Sequence, residues 1–149
     1  MSLTDKISND LKEAMKAHDK VALEALRAAK TAFTLARTSK GAEAVLSDTE
    51  AINIMQKLVK QRNDSAQIYK EQNRPELYEK EVAEATVLEK YLPEKMSDEE
   101  LTDVINSIIE KVGAKTPSDM GKVMGVATKE LAGKADGKEI SQKVKALLS

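Results

Sequence analysis

Glycines and lysines cluster near the C-terminus, and their spacing points to contact with an anion. Residues 119–138 hold four of the six glycines and four lysines. Gly121 and Gly125 lie four residues apart in a predicted helix, where each glycine costs about 1 kcal/mol relative to alanine. Such a cost needs a reason: either a second helix packs closely there, or a groove lets a phosphodiester backbone approach. The sequence leaves both interpretations open.

Lysines and a predicted helix start surround these glycines. Lys122 follows Gly121, and Lys134 and Lys138 flank a turn that runs from Gly133 to Gly137. Asp136 is expected to begin a helix whose first backbone amides favour an anion. Since no aromatic residue lies in this stretch to stack on bases, such a surface would read RNA shape and phosphates rather than sequence. The residues of this candidate phosphate-contact surface, which the family resemblance given below implies to be an RNA contact, are Gly121, Lys122, Gly125, Gly133, Lys134, Asp136, Gly137 and Lys138.

A second basic cluster lies on a predicted long helix in the first half of the chain. It surrounds the motif Lys-Gln-Arg-Asn-Asp-Ser at residues 60–65, in which charges of both signs alternate. Alternating charge is typical of a solvent-exposed helix face, and contact with RNA or a partner protein is the alternative. The basic residues of this cluster are Lys57, Lys60, Arg62 and Lys70.

No arrangement for catalysis, metal binding or cofactor binding is visible. The single histidine, His18, lies beside a helix boundary and is expected at the surface. The absence of cysteine excludes disulfides and thiolate metal sites. Glycine patterns of the P-loop or Rossmann type are missing, and one histidine gives no basis for a Ser/His/Asp triad. We therefore predict no catalytic residue, no metal and no cofactor.

Composition and apolar spacing together predict an all-α fold. A third of the residues are charged, the formal net charge is -1, and only four residues are aromatic. A chain rich in Ala, Glu, Lys and Leu favours helices. No apolar stretch approaches the roughly 20 residues that a membrane span requires, and the N-terminus lacks the apolar core of a signal peptide. We expect a cytoplasmic protein with no membrane partner.

Four helices are predicted in an N-terminal domain of residues 1–92, arranged as helical hairpins. Asp19 can cap the second helix, Ser47 and Glu50 form a capping-box pattern before the third, and Pro75 suits the first turn of the fourth. The predicted helices cover about residues 3–17, 20–38, 48–72 and 75–90. Their predicted apolar faces include Met15 and Val21, then Ile52, Met55, Leu58, Val59, Ala66, Ile68 and Tyr69 on the third helix, and Leu77, Tyr78, Val82, Ala85 and Leu88 on the fourth.

A linker and a small three-helix bundle are predicted for the rest of the chain. Pro93 pushes the residue before it out of the α region, so residues 93–96 are the predicted linker to a domain of residues 97–149. Ser97 and Glu100 form a second capping-box pattern, Thr116 with Pro117 should start the next helix, and Asp136 the last. Residues 97–110 hold five acids and no base, whereas residues 111–149 hold eight lysines against four acids.

Four motifs, read in order, resemble the YqeY family. They are Lys60-Gln-Arg-Asn-Asp-Ser65, Leu88-Glu-Lys-Tyr-Leu-Pro93, Asp119-Met-Gly-Lys-Val-Met-Gly125 and Gly133-Lys-Ala-Asp-Gly137. Members of this family are small stand-alone proteins similar to the tail of the B subunit (GatB) of the glutamine-dependent tRNA amidotransferase. The resemblance implies an all-helical fold with an N-terminal helical part and a small three-helix C-terminal part.

The resemblance also implies a function. In the amidotransferase the tail resembles a tRNA-engaging module, while catalysis sits in other domains and another subunit. We therefore expect a non-catalytic module that binds tRNA or associates with the amidotransferase. One alternative is a component of glutamine-dependent carbon–nitrogen ligation, although no amidase-type Ser/Lys constellation is visible. Another is a protein-interaction module that uses the Gly121/Gly125 groove. The implied partners are tRNA, tRNA–protein complexes and other amidotransferase or synthetase subunits.

Overall fold

The computed structural model describes residues 2–41 and 43–149, and its regular structure there is entirely helical. This confirms the predicted all-α class. The chain divides into two compact units, Met1–Leu92 and Pro93–Ser149. The helices are α1 (Leu3–Ala17), α2 (Lys20–Lys40), α3 (Asp48–Glu71), α4 (Pro75–Glu89), α5 (Asp98–Val112), a short 3-10 helix (Pro117–Asp119), α6 (Met120–Glu130) and α7 (Gly137–Leu148).

Side-chain caps fix the starts of the helices in the first unit. The Asp19 carboxylate accepts a hydrogen bond from the Ala22 N–H at 3.1 Å, as predicted. Ser47 and Glu50 form the predicted capping box, in which each side chain accepts from the other residue's backbone N–H. A cap of this kind stabilises a helix by about 1 kcal/mol, because it satisfies amides that the helix leaves free. Glu50 also pairs with Lys40 at the end of α2.

The core of the first unit lies among four helices. α3 packs along α4, while α2 contacts α1, α3 and α4. The Tyr91 hydroxyl donates to the Asp10 carboxylate at 2.5 Å and so holds the chain after α4 against α1. The larger buried side chains are Ile7, Leu11, Leu26, Phe33, Leu46, Met55, Val59 and Leu88.

Several apolar residues predicted on the helix faces are exposed instead. Ile68 is 52% exposed, because it lies two residues, or about 200° around the helix, from the buried Ala66. Val82 is exposed for the same reason: it lies two residues before Glu84, which is buried, and so points away from the core. Leu77 lies in the first turn of α4, before the helix reaches the core. The predictions that Ile68, Leu77 and Val82 are buried were therefore wrong. Met15 and Val21, whose spacing correctly predicted helices, are exposed as well.

The second unit packs three helices around its own core. α6 contacts both α5 and α7, and α5 contacts α7. Ser97 caps α5, and Gly113 ends it in the left-handed conformation with φ of 72°. The next helix was predicted to begin at Pro117, but its first turn is a separate 3-10 turn and α6 starts at Met120. The buried apolar side chains are Leu101, Ile105, Ile108, Ala114, Val123, Ala127, Leu131, Ala135, Ile140, Val144 and Leu148.

The start of the second unit is fastened to the turn between α6 and α7. The Met96 N–H donates to the Lys134 carbonyl at 2.9 Å, and the Met96 side chain packs against the second core. The role of residues 93–96 as a linker between independent domains stays a prediction. Within residues 2–41 and 43–149, no helix has both the length and the apolar character needed to cross a bilayer.

Candidate nucleic-acid interface

The two glycines of α6 lie on its exposed face. Val123 and Ala127 are fully buried on the opposite face and hold the helix against the second core. A Cβ atom built at Gly121 or Gly125 would meet no heavy atom within 4 Å. Close packing against another helix of the second unit therefore does not explain these glycines, and that interpretation was wrong. We call the exposed side of α6 the glycine face; its residues are Gly121, Lys122, Gly125, Thr128 and Lys129.

The glycine face carries two lysines and little other polarity. The Thr128 hydroxyl donates to the Met124 carbonyl, so this side chain folds back on its own helix. Lys129 was not identified from the sequence, although a signal was present. It lies four residues after Gly125 and seven after Lys122, a spacing that places all three on one side of a helix.

Asp119 sits at the start of α6 and partly offsets the charge of Lys122. Its carboxylate accepts from the Lys115 N–H at 3.0 Å and from the Thr116 N–H at 3.3 Å. These backbone donors, together with the nearby Lys122 cation, lower the pKa of Asp119 from its ordinary value. The carboxylate is therefore ionised at neutral pH, where it orders the turn before the helix.

In the turn between α6 and α7, some residues shape the backbone and others are exposed to solvent. Gly133 is buried with φ of 78°, a conformation that suits glycine, and the Asp136 carboxylate accepts from the Lys138 N–H at 3.2 Å. The Lys138 N–H, one of the free amides at the start of α7 that could have bound an anion, is therefore already hydrogen-bonded to Asp136. The side chains of Lys134 and Lys138 are exposed and form no ion pair in the described part of the chain. Gly137 is also exposed, with open space around it.

Other lysines of the second unit are engaged by carboxylates. Lys143 Nζ lies 2.7 Å from Asp98 Oδ1 at the acidic start of α5, and Lys111 Nζ lies 4.0 Å from Glu130 Oε1. The acidic helix thus neutralises part of the local basic charge. The predicted contact lysines at positions 122, 134 and 138 do not take part in these pairs.

The second basic cluster divides into exposed and inward-facing residues. Lys57 and Lys60 are exposed on α3, whereas the Arg62 side chain is only 16% exposed. Arg62 Nε lies 3.3 Å from Glu84 Oε2, although its N–H makes no hydrogen bond. The exposed-face interpretation was therefore wrong for Arg62. Its partner lies on another helix, 22 residues further along, where local charge alternation gives no signal.

A charge network extends from this pair to α2. Burial raises the pKa of Glu84, and a hydrogen bond with Glu24 adds to the effect while Arg62 opposes it. The pKa of Glu24 is lowered by the same hydrogen bond and by Lys80, whose ammonium lies 3.2 Å away. Three helices therefore share one set of charges. Because all partners belong to the first unit, we assign this network a structural role.

The positions of the histidine and of the acidic side chains bear on metal binding. His18 is exposed as predicted and ends α1 with φ of 54°. No group of three or more His, Cys, Asp or Glu side chains is placed to hold a metal ion in residues 2–41 and 43–149. The exposed glycines and lysines of the glycine face and of the turn after it form the candidate binding surface.

Comparison with known proteins gives two matches. A family model described as Yqey-like protein matches residues 4–148, which is nearly the whole chain. A fungal protein from Pyrenophora tritici-repentis (strain Pt-1C-BFP), altered inheritance of mitochondria protein 41, mitochondrial, is 29% identical over 142 residues. That alignment covers 93% of this chain and 77% of the fungal protein.

Proposed function

We propose that this chain, which belongs to the Yqey-like protein family, is a non-catalytic module that binds tRNA through its glycine face. One observation carries the proposal: Gly121 and Gly125 are exposed with open space around them, and Lys122 and Lys129 share their side of α6. Two helical glycines lower stability, and no described residue of the second unit fills the space they leave. An external partner that approaches the helix backbone would use it.

The chemistry of the surface favours phosphates over bases. Lysine ammonium groups act as compact point charges on flexible stems and suit a phosphate backbone without demanding one geometry. The surface has no aromatic side chain for stacking, so recognition would rest on the shape and charge of a folded RNA. Lys134 and Lys138 would extend the contact along the turn. Gly133 and Asp136 would act indirectly, by shaping the turn that presents these lysines.

Family membership supports association with the amidotransferase. Under this proposal the chain contributes RNA binding, and glutamine-dependent carbon–nitrogen ligation requires other subunits. The finer assignment to tRNA rests on the resemblance to the GatB tail. For location we propose the cytoplasm; the mitochondrial location belongs to the name of the fungal relative.

A protein partner is the second proposal for the same surface. A groove without side chains also accommodates a close-packed helix. The formal net charge of -1 and the acidic start of α5 favour a protein partner over RNA. The two proposals differ in salt dependence and in their response to lysine substitution.

The experiment that tests RNA binding measures the affinity of a bulk tRNA pool across a salt series. The variant Lys122→Glu/Lys134→Glu removes two proposed phosphate contacts. The charge-matched control, Lys12→Glu/Lys20→Glu, changes two exposed lysines of the first unit. Circular dichroism confirms that all three proteins are folded.

We expect the wild type to bind tightly at low salt. A plot of the logarithm of the binding constant against the logarithm of the salt concentration should be shallower by about 1–2 for the Lys122→Glu/Lys134→Glu variant. The control should keep most of the wild-type slope and affinity. No binding by the folded wild type at low salt would refute the proposal. Equal losses in the two variants would assign the affinity to net charge rather than to the glycine face.

A further inference from the structure

We propose that a cavity in the first unit binds a small phosphomonoester. This site is separate from the glycine face and does not depend on RNA binding. The cavity has a volume of about 290 Å³ and lies among the first two turns of α1, the C-terminal half of α2 and residues 44–46. Ligand pockets in proteins usually have volumes of about 300–1,000 Å³, so this one suits a small metabolite and not a polymer.

Two cations of α2 line the cavity. Lys30 and Arg37 are seven residues apart, so they lie on one side of the helix and about 10 Å apart along its axis. Neither forms an ion pair with any carboxylate in residues 2–41 or 43–149. A phosphate held between an ammonium group and a guanidinium fork would form charge-assisted hydrogen bonds with both.

Polar groups on α1 complete the lining. The Ser8 hydroxyl has no hydrogen-bond partner in the described part of the chain and is available as a donor to phosphate. The Thr34 hydroxyl on α2 already donates to the Lys30 carbonyl at 2.9 Å, so it can only accept. Asp5 is the one carboxylate of the lining, against two cations. It would repel a phosphate and accept from a ligand hydroxyl, which orients the phosphate toward α2.

The remaining walls are apolar. Phe33 and Leu46 are buried and lie at the cavity, whereas Val45 is exposed on its rim. The cavity thus has cations on α2, a hydrogen-bond acceptor at Asp5 on α1, and an apolar wall formed by Phe33 and Leu46. This combination matches a short hydroxylated carbon chain that ends in a phosphate. A monoester carries a charge of about -1.5 to -2 at neutral pH and exposes three oxygens, so it matches two cations better than a diester does.

The experiment is a titration of the full-length ¹⁵N-labelled chain with glycerol 3-phosphate, followed by amide chemical shifts. Dimethyl phosphate serves as the diester probe and glycerol as the uncharged probe. The test variant is Lys30→Gln/Arg37→Gln, and the matched control is Lys12→Gln/Lys20→Gln, which removes the same charge from exposed lysines outside the cavity.

We expect saturable shifts confined to residues 2–8, 30–37 and 44–46, at least tenfold weaker binding of the test variant, and less than a twofold change in the control. Dimethyl phosphate should bind at least fivefold more weakly, and glycerol should cause no saturable shift. Shifts scattered over surface lysines, equal binding of monoester and diester, or equal losses in both variants would each overturn the proposal. The wild-type shift map decides the matter even if the test variant fails to fold.

Discussion

Arg62 Nε lies 3.3 Å from Glu84 Oε2, and this ion pair joins α3 to α4 with the two side chains 16% and 7% exposed. Glu84 is the one charged residue among the buried side chains of the described chain. Removing a charged group from water costs free energy, and a nearby opposite charge offsets part of that cost. If one partner of a buried pair is removed, the remaining charge keeps its full desolvation cost. The pair therefore fixes which faces of α3 and α4 meet.

We expect Glu84→Ala to lower the free energy of unfolding by about 2 kcal/mol, less than for a fully buried pair because Arg62 retains some solvent contact. Urea denaturation followed by circular dichroism measures this change. The matched control is Glu79→Ala on the exposed side of α4, which should stay within about 0.5 kcal/mol of the wild type. Equal effects of the two substitutions would contradict a specific role for the pair.

The pH dependence of stability should reveal the raised pKa of Glu84. A carboxyl group whose pKa is raised by folding stabilises the protein below its unfolded pKa, near 4.5, and this contribution is lost as pH rises through the higher folded value. Glu24, whose pKa is lowered, contributes with the opposite sign, so Glu84 must be isolated by substitution.

Glu84→Gln removes this titration. We expect the stability of the variant relative to the wild type to increase as pH rises from 4.5, and urea midpoints from pH 4 to pH 7 measure the difference. Glu79→Gln removes one exposed carboxylate of the same helix and provides the control. A Glu84→Gln difference that stays constant or falls would show that burial does not dominate the titration of Glu84.

Alanine at the exposed glycines separates stability from binding. Because both sites are helical and have open space, Gly121→Ala and Gly125→Ala should each increase stability by about 0.5–1 kcal/mol. The same substitutions should weaken tRNA binding if the backbone of α6 is the contact surface.

Gly133→Ala is the contrasting variant. Gly133 is buried with φ of 78°, so alanine there should lower stability by at least about 1 kcal/mol. Thermal and urea unfolding measure all three variants. If alanine at position 121 or 125 lowered stability, the new methyl group would have to clash with a neighbouring atom. That result would contradict the open space around these two glycines.

The prediction of two domains can be tested by producing residues 93–149 alone. These 57 residues contain their own apolar core, so the fragment should fold cooperatively, with low stability because short chains bury a small share of their surface. Helical circular dichroism with a sigmoidal thermal transition would support an independent domain. A chain without a cooperative transition would mean that folding requires the first unit.

Local signals in the sequence predicted the helix boundaries well. Asp19 and Ser47 each act within a few residues of their own position, and the structure has them in the predicted roles. The start of α6 was harder to predict. Asp119 bonds to the backbone of two preceding residues, and the first turn is 3-10 rather than α.

Features that depend on distant parts of the chain were not predictable from the sequence. The partner of Arg62 lies on another helix, and Ile68 is exposed because the buried side of α3 passes through Ala66. Likewise, the 290 Å³ cavity forms only when residues 44–46 lie beside α1 and α2. For the glycine face, the spacing showed that Gly121 and Gly125 share one side of a helix, but not whether that side faces the core or the solvent.

The hydrogen bond from the Met96 N–H to the Lys134 carbonyl has a mechanical consequence. The chain enters the second unit through residues 93–96, and this bond ties that point of entry to the backbone of a lysine in the turn after α6. Any rearrangement that moves the Met96 backbone must therefore either move the Lys134 backbone with it or break this hydrogen bond.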